Sequence, residues 1–255
     1  MRVEFREWDN SVSSQRTAAS LGPDEVQVWT AILCRDQVEL IELSRNLSSD
    51  EHKRAERFLV EEPRRQFIFG RALLRQLLGA CLNTAPSALS FYYRPRGKPV
   101  LEQSASCGDL SFNLSHSGQL VVIALARDRE VGVDLEWFHS HTDWSLLAER
   151  IFSVRELREI RSLPVSKQRE AFFNGWTRKE AYLKATGEGL ADDVRAIEVT
   201  LTPGQEPRLL ALPAGAETAR QWTLQMIPLP SDFAGAVVFE KTSRSSAIFP
   251  SLNAG

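Results

Sequence analysis

The chain has 255 residues, of which 43% are hydrophobic and 25% charged, and its formal net charge is −2. This length suits one large domain or two small ones, and the near-neutral charge gives no reason to expect a nucleic-acid binder. No apolar run approaches the roughly 20 residues that span a bilayer, and the charged start MRVEFREWDN lacks the apolar core of a signal peptide. We therefore expect a cytoplasmic protein that does not contact a membrane.

The three cysteines, Cys34, Cys81 and Cys107, are scattered and have no CxxC spacing. Such a pattern argues against a disulfide framework or a zinc site and fits a reducing compartment. We expect buried, inert thiols in preference to reactive ones.

The first half of the chain reads as a loose arm followed by an α+β unit. Residues 1–23 are polar and rich in serine, which predicts the arm. The unit, residues 24–128, begins with an alternating stretch at 25–33 that predicts a strand. Ser48 or Ser49 then suits the cap of a helix, and Pro63 fits a turn or the start of a second helix.

That second helix is part of a locally basic region. Between Glu51 and Lys98 we count ten Lys or Arg against four Glu, which suggests a confined anionic ligand. Apolar residues at helical spacing predict one inward face; they are Phe67, Leu74, Leu78 and Cys81. The opposite face is predicted to carry arginines outward, at least half of them solvated: Arg64, Arg65, Arg71 and Arg75.

A stiff basic loop follows a predicted strand at 88–94. In the loop, RPRGKP, two prolines and a glycine hold Arg94, Arg96 and Lys98 in six residues. Such a loop could present cations to phosphate at little ordering cost. Basic turns are common on protein surfaces, so this motif alone decides nothing.

The stretch FNLSHS predicts a strand with Asn113 and Ser115 on one face. His116 lies at its exit, where either a structural histidine or a ligand contact remains open. The apolar stretch 119–126 predicts a buried partner strand, joined through a hairpin at Ser117–Gly118.

The next stretch, VGVDLE, predicts a strand that places Asp134 and Glu136 on the same face. Two neighbouring carboxylates repel unless a cation joins them. They therefore suggest a Mg²⁺ site, and a solvent-facing polar edge is the alternative.

The second half, residues 129–241, contains two short predicted helices at 144–152 and 154–163, the second with Ser153 as a candidate cap, and a long one from 165 or 166 to 186. Strands are predicted at 194–201, 221–227 and 232–240, and residues 242–255 are predicted to be a disordered tail. On the long helix Trp176, Glu180 and Lys184 recur at steps of four and share one face. Gly187 and Gly189 end it. Taken alone, Glu180 and Lys184 could be an ordinary surface ion pair.

The two halves share a rough order of strand, helical region and paired strands, with a junction near 127–130. This order predicts an α+β fold of two pseudo-duplicated halves with the active site at the seam between them.

Three motifs, FNLSHS, GVDLE and WTRKEAYLKATGEGL, stand in fixed order. Together they resemble the 4′-phosphopantetheinyl transferases of the surfactin-synthetase-activating type. The resemblance implies two similar α+β halves with coenzyme A bound between them. It also implies Mg²⁺-dependent transfer of 4′-phosphopantetheine from coenzyme A to a serine hydroxyl of an acyl or peptidyl carrier protein, with release of adenosine 3′,5′-bisphosphate.

The resemblance further implies roles for particular residues. Asp134, Glu136 and Glu180 would bind Mg²⁺, and Glu180 and Lys184 would be catalytic, with Glu180 as the candidate base. The candidate contacts to coenzyme A are Arg54, Arg96, Gly97, Lys98, Asn113, Ser115, His116, Asp134 and Lys184. Because the seam supplies an intramolecular site, we expect a monomer. Which carrier is the partner, and whether Glu136 ligates Mg²⁺ directly, stay open.

Two other functions stay open. One is a different Mg²⁺-dependent phosphoryl or nucleotidyl transferase that uses the same acids, although no GxxxxGK[ST] loop is present. The other is a non-catalytic module that binds coenzyme A or a carrier protein.

Overall fold

A computed structural model describes residues 1–9, 18, 20–33, 36–102, 110–138, 143–187 and 194–241. The predicted tail, Gly189, Cys34 and Cys107 lie outside these residues. Within them, no helix combines the length and the apolar character needed to cross a bilayer. Burial raises the pKa of the Cys81 thiol to about 11, as expected for an unreactive cysteine.

The described elements mix strands and helices, which confirms the predicted α+β class. The strands are β1 (Arg2–Glu7), β2 (Glu25–Ile32), β3 (Phe91–Tyr93), β4 (Pro99–Leu101), β5 (Leu110–Ser117), β6 (Leu120–Arg127), β7 (Val131–Trp137), β8 (Glu198–Val199), β9 (Leu209–Ala211), β10 (Trp222–Met226) and β11 (Phe233–Glu240). The helices are α1 (Gln37–Ser44), α2 (Ser49–Glu56), α3 (Glu61–Leu82), α4 (Trp144–Ile151), α5 (Val154–Ser162), α6 (Val165–Thr186) and α7 (Ala216–Ala219). Single 3₁₀ turns lie at Pro86–Ala88 and Val194–Ala196.

The first half is a four-stranded sheet covered by α3. The strand order is β1-β2-β6-β5, and β6 runs antiparallel to both of its neighbours. Leucines at helical spacing bury the inner face of α3 against this sheet; they are Leu73, Leu74, Leu77 and Leu78. The hairpin of β5 and β6 turns at Gly118, whose φ is +55°. The predicted hairpin is therefore present.

The second half is a three-stranded sheet, in the order β10-β11-β7, covered by α6. The helix lies very close to β7 at Gly132. A Cβ atom there would stand 2.1 Å from the carbonyl oxygen of Ala181 and 2.3 Å from the backbone nitrogen of Ala185. Only glycine allows this approach, which brings the side chains of α6 next to those of β7.

The two halves meet at the seam, which we define as the contact of β2, β5 and β6 with β7 and β11. Apolar residues from both sheets form one core there, including Val28, Val122, Val133 and Val237. The side-chain oxygen of Asn113 on β5 accepts a hydrogen bond of 2.9 Å from the backbone N–H of Val133 on β7. Two sheet-and-helix halves thus join along β5 and β7.

The predicted loose arm is wrong for its first residues, which form an edge strand. β1 pairs parallel to β2, with Val3 opposite Val26 and Phe5 opposite Val28. Ala18 and Leu21 are also buried in the first core. The strand is stabilised by a partner some twenty residues away in the chain, and the local composition of residues 1–23 holds no sign of that partner.

The outward orientation predicted for Arg71 and Arg75 is also wrong. Both are buried against Glu51, with N–O distances of 3.2 Å from Arg71 Nε and 2.6 Å from Arg75 Nε. Arg75 also donates to the carbonyl oxygens of Pro86 and Leu89. A buried carboxylate on α2 therefore turns this face of α3 into a second packed face.

Local signals for helix ends are accurate. Ser48 and Ser153 each cap a helix through a full capping box, and Gly187 ends α6 with φ +76°. The strand predicted at 194–201 is mostly wrong. Its start forms a 3₁₀ turn, and the strand β8 that follows has two residues.

Candidate active site

The seam brings together an acid, a hydroxyl and a cation from three elements. The carboxylate Oδ1 of Asp134 on β7 accepts hydrogen bonds from Ser115 Oγ on β5, at 2.9 Å, and from Lys184 Nζ on α6, at 2.6 Å. Lys184 also donates to Ser115 Oγ at 3.0 Å. Asp134 is buried, and the Lys184 side chain keeps 30% of its exposure. Lys184 therefore pairs with Asp134, and the spacing of Glu180 and Lys184 does not signal a surface pair.

Glu180, one turn before Lys184, is an unusual carboxyl group. Its Oε1 is buried and has no hydrogen-bond partner among the residues that the structure describes. Burial, and after it the Asp134 carboxylate, raises the pKa of Glu180 to about 7, although the Lys184 ammonium opposes the rise. A group with this pKa can give or take a proton near neutral pH.

Glu136 lies on the same face of β7 as Asp134. Its Oε2 accepts a hydrogen bond of 3.0 Å from Ser117 Oγ, and Trp176 on α6 is a second donor. Burial, and after it the Asp134 carboxylate, raise the pKa of Glu136, and the two donors oppose that rise. Ser117 and Trp176 had no polar role in the sequence interpretation, although both belong to the recognised motifs.

His116 is at the rim of this cluster. Its side chain is exposed, yet the surrounding protein atoms still desolvate the imidazole enough to lower its pKa. The Lys184 ammonium lowers the pKa further, and Asp134 opposes it. A neutral imidazole next to a lysine can contact an anion and does not repel Lys184.

We call Ser115, Asp134, Glu136, Glu180 and Lys184 the seam site. Within the described residues, no three His, Cys, Asp or Glu side chains are arranged to hold a metal ion as they stand. The donors nevertheless suit a hard cation, because the site holds three carboxyl groups. In the described part of the chain, two of its buried oxygens have no hydrogen-bond partner, namely Asp134 Oδ2 and Glu180 Oε1. A ligand that needs oxygen donors fits here.

Lys98 of the basic loop is engaged within the chain. Its ammonium lies 2.9 Å from Glu130 Oε2 and 2.7 Å from the carbonyl oxygen of Ala185 at the end of α6. Arg94 donates to the other oxygen of Glu130 at 2.9 Å. These contacts hold the loop of the first half against β7 and α6 of the second. Glu130 is essential to them, and the sequence interpretation did not single it out.

The remaining candidate contacts to coenzyme A lie away from the carboxylates. Gly97 has φ +85° at the tip of the basic loop, next to Arg96. Arg54 on α2 is exposed, with its guanidinium 5.1 Å from the ring centroid of Phe67. Arg54 lines a cavity of about 880 Å³ in the first half, together with Lys53, Arg57, Phe91 and Tyr93. The structure therefore brings Ser115, His116 and Lys184 to the acids, and Arg54 to a separate basic cavity.

Comparison with known proteins places both halves in one family. Residues 130–238 match the family described as the 4′-phosphopantetheinyl transferase superfamily, and residues 34–128 match 4′-phosphopantetheinyl transferase, N-terminal. The 4′-phosphopantetheinyl transferase HetI of Nostoc sp. is 42% identical over 80% of this chain and 84% of its own length. The 4′-phosphopantetheinyl transferase psf-1 of Bacillus pumilus is 35% identical over 62% of this chain and 64% of its own.

A human relative is more distant. The L-aminoadipate-semialdehyde dehydrogenase-phosphopantetheinyl transferase of Homo sapiens is 26% identical over 79% of this chain and 69% of its own length. The chain belongs to the 4′-phosphopantetheinyl transferase superfamily. It is an enzyme that transfers phosphopantetheine from coenzyme A to carrier proteins, as the three motifs predicted.

Proposed function

We propose that the seam site carries out this transfer with Mg²⁺, on the serine hydroxyl of an acyl or peptidyl carrier protein. The observation that supports this most directly is the pair of buried carboxylate oxygens without partners, Asp134 Oδ2 and Glu180 Oε1, next to the Lys184 ammonium. Buried carboxylates are normally paired, so unsatisfied ones facing a seam indicate that the site is completed by a ligand.

Asp134, Glu136 and Glu180 are the residues that would hold Mg²⁺. The bound ion would offset negative charge on the pyrophosphate of coenzyme A. Asp134 is the strongest candidate for a direct contact, since it is buried and keeps one oxygen free. Glu136 already accepts from Ser117 and Trp176, which suits a contact through water.

Glu180 is the general base. The serine oxygen of the carrier attacks the β-phosphorus of coenzyme A and forms a new P–O bond. The bond from that phosphorus to the bridging oxygen breaks, and adenosine 3′,5′-bisphosphate leaves. The proton of the serine hydroxyl passes to Glu180, a carboxyl group of the seam site with an oxygen available to accept it.

The cations orient and neutralise coenzyme A. Lys184 lies beside Asp134 and keeps part of its ammonium exposed for the pyrophosphate, and His116 and Ser115 lie next to it. Arg96 and Gly97, at the tip of the basic loop, contact the adenine side, and Arg54 contacts the 3′-phosphate from the basic cavity of the first half. Lys98 acts by holding the loop in place, because its ammonium is already bonded to Glu130 and Ala185. Asn113 acts in the same way, through Val133.

Mass spectrometry of an apo carrier protein after incubation with coenzyme A and MgCl₂ tests the proposal. The expected result is a mass gain of one phosphopantetheine on at least one carrier of a panel from fatty acid, polyketide and nonribosomal peptide synthesis. Chelation of Mg²⁺ with EDTA should stop the gain. Absence of the gain from every carrier, or full turnover in EDTA, would contradict the proposal.

The same protein is proposed to act as a cytoplasmic monomer. A single chain supplies both sides of the seam, and Ser115 and Lys184 reach Asp134 without a second copy. Light scattering on the purified enzyme should give about the 28.7 kDa mass of one chain. A stable dimer that loses activity on dilution would contradict this.

A further inference from the structure

The second half contains a cavity that the transfer reaction does not use. It measures about 550 Å³ and lies between the middle of α6 and the connection from β10 to β11. Its walls are mostly apolar and come from Phe138, Phe233 and residues 226–230. Such a volume and lining suit a small organic molecule.

One cation, Arg178, lines this cavity, and it lacks a full set of partners. Its side chain is almost fully buried, with 4% exposed. Nη1 donates to the carbonyl oxygen and the hydroxyl of Thr200, at 2.5 and 3.2 Å. Across the described part of the chain, neither Nε nor Nη2 donates to an acceptor, and no carboxylate forms an ion pair with Arg178. Burial lowers the pKa of Arg178 to about 10, although the charge of Glu159 opposes this.

The carboxylates that line the cavity do not compensate Arg178. Glu170 is ion-paired with Lys167 at 2.9 Å, and Glu206 is ion-paired with Arg208. The Glu206 side chain is 71% exposed. The acids near the rim therefore have cations of their own, whereas the Arg178 guanidinium has no anion partner among the described residues.

The free atoms of Arg178 define what could complete it. Nε and Nη2 form one edge of the guanidinium, where two parallel N–H groups match the two oxygens of a carboxylate. An unpaired buried charge is unfavourable, so an anion placed there would be stabilised. The same cavity is lined by Phe138, Phe233 and residues 226–230, whose apolar side chains suit a hydrocarbon body.

We propose that this cavity binds a small organic monocarboxylate, whose carboxylate pairs with Arg178 and whose hydrocarbon body packs on the apolar wall. The site is separate from the seam site and does not depend on the proposed function. Glu170, Asn174 and Arg178 recur at steps of four on one face of α6, whereas Glu180 and Lys184 project from a different face.

Binding of hexanoate to the full chain, compared with hexanamide, tests the proposal. The two probes have the same shape, and they differ in charge. Calorimetric titration at pH 7 should show hexanoate binding at least about tenfold more tightly, as a charged hydrogen bond predicts. In amide NMR spectra, hexanoate should shift Gly204 and Gly235, which line the cavity. Equal affinity for the two probes, or shifts confined to Ser115 and Gly132 at the seam, would overturn the proposal.

Three variants test whether the charge of Arg178 causes the preference for hexanoate. Arg178→Met should abolish the preference for hexanoate, and Arg178→Lys should keep part of it, because the charge remains and the two-pronged edge is lost. Arg220→Met, at an exposed arginine that does not line the cavity, is the matched control and should bind hexanoate as the wild type does. An unchanged preference in Arg178→Met would overturn the proposal. Should that variant fail to fold, the hexanoate and hexanamide comparison on the wild-type chain decides alone.

Discussion

Two neighbouring residues of α6, Lys179 and Glu180, belong to buried clusters of opposite character. Lys179 Nζ is fully buried and lies 2.7 Å from Glu156 Oε2, 3.0 Å from the carbonyl oxygen of Ile151 and 3.2 Å from that of Val194. Glu156 accepts further hydrogen bonds from the backbone N–H groups of Ser153 and Val199.

At the seam site, by contrast, Asp134 and Glu180 each keep a buried oxygen that no described residue contacts through a hydrogen bond. Both clusters contain a lysine and a carboxylate, so charge type alone does not separate them. The clusters differ in hydrogen bonding: the polar atoms of the Lys179 cluster are paired, whereas the seam site keeps unpaired carboxylate oxygens among the described residues. We infer that the Lys179 cluster stabilises the fold. The unpaired atoms of the seam site lower the stability of the ligand-free protein and are available to bind a ligand.

The largest expected effect is on turnover. Glu180→Gln should lower kcat by about 10²–10⁴-fold, the usual contribution of a general base, because glutamine cannot accept the serine proton. Coenzyme A binding by calorimetry should remain measurable. Glu206→Gln, an exposed glutamate, is the control and should leave kcat unchanged. Near-normal turnover in Glu180→Gln would remove Glu180 from the proposed role.

Lys179, the residue before Glu180, is expected to stabilise the fold without taking part in catalysis. Lys179→Met leaves the Glu156 carboxylate buried without its cation, which should lower the free energy of unfolding by about 3–5 kcal/mol in urea titrations. The double variant Lys179→Met/Glu156→Gln should recover part of this loss, since no buried charge remains. If the urea midpoint of unfolding is the same for Lys179→Met and the wild type, the contrast between the two clusters is wrong.

In metal-free buffer, the seam site should make stability fall as the pH rises. The folded chain holds the Glu180 proton up to a pKa of about 7, and the unfolded chain releases it near 4.5. The folded state thus binds more protons between these values, and its stability decreases by about 3 kcal/mol across that window. Glu180→Gln should flatten the profile of unfolding free energy against pH. A wild-type unfolding free energy that rises from pH 5 to 7.5 would contradict the raised pKa of Glu180.

Lys98 is expected to give the smallest effect and to extend the comparison to another lysine, whose side chain is 8% exposed. Its ammonium is satisfied, like that of Lys179, but Glu130 keeps Arg94 as a second partner. Lys98→Met should therefore cost only about 1–3 kcal/mol of unfolding free energy. The KM for coenzyme A should rise and kcat should stay the same, with the exposed Lys167→Met as control. A fall in kcat with an unchanged KM would instead indicate direct action on the transferred group.

Several features were determined by the sequence alone, because they depend on neighbours along the chain. The helix starts at Ser48 and Ser153 follow from local hydrogen bonding. The alternation in VGVDLE is enough to place Asp134 and Glu136 on one face of β7. The order of the three motifs identified the family before any contact was known.

Only the tertiary structure decided which charges are satisfied. The partner of Lys184 is Asp134, fifty residues away, and the partner of Arg75 is Glu51 on another helix. No spacing rule connects such residues, because their proximity arises from the packing of whole elements. Gly132 shows the reason most clearly: the missing side chain lets α6 approach β7, and that approach brings Glu180 and Lys184 next to Asp134 of the same strand.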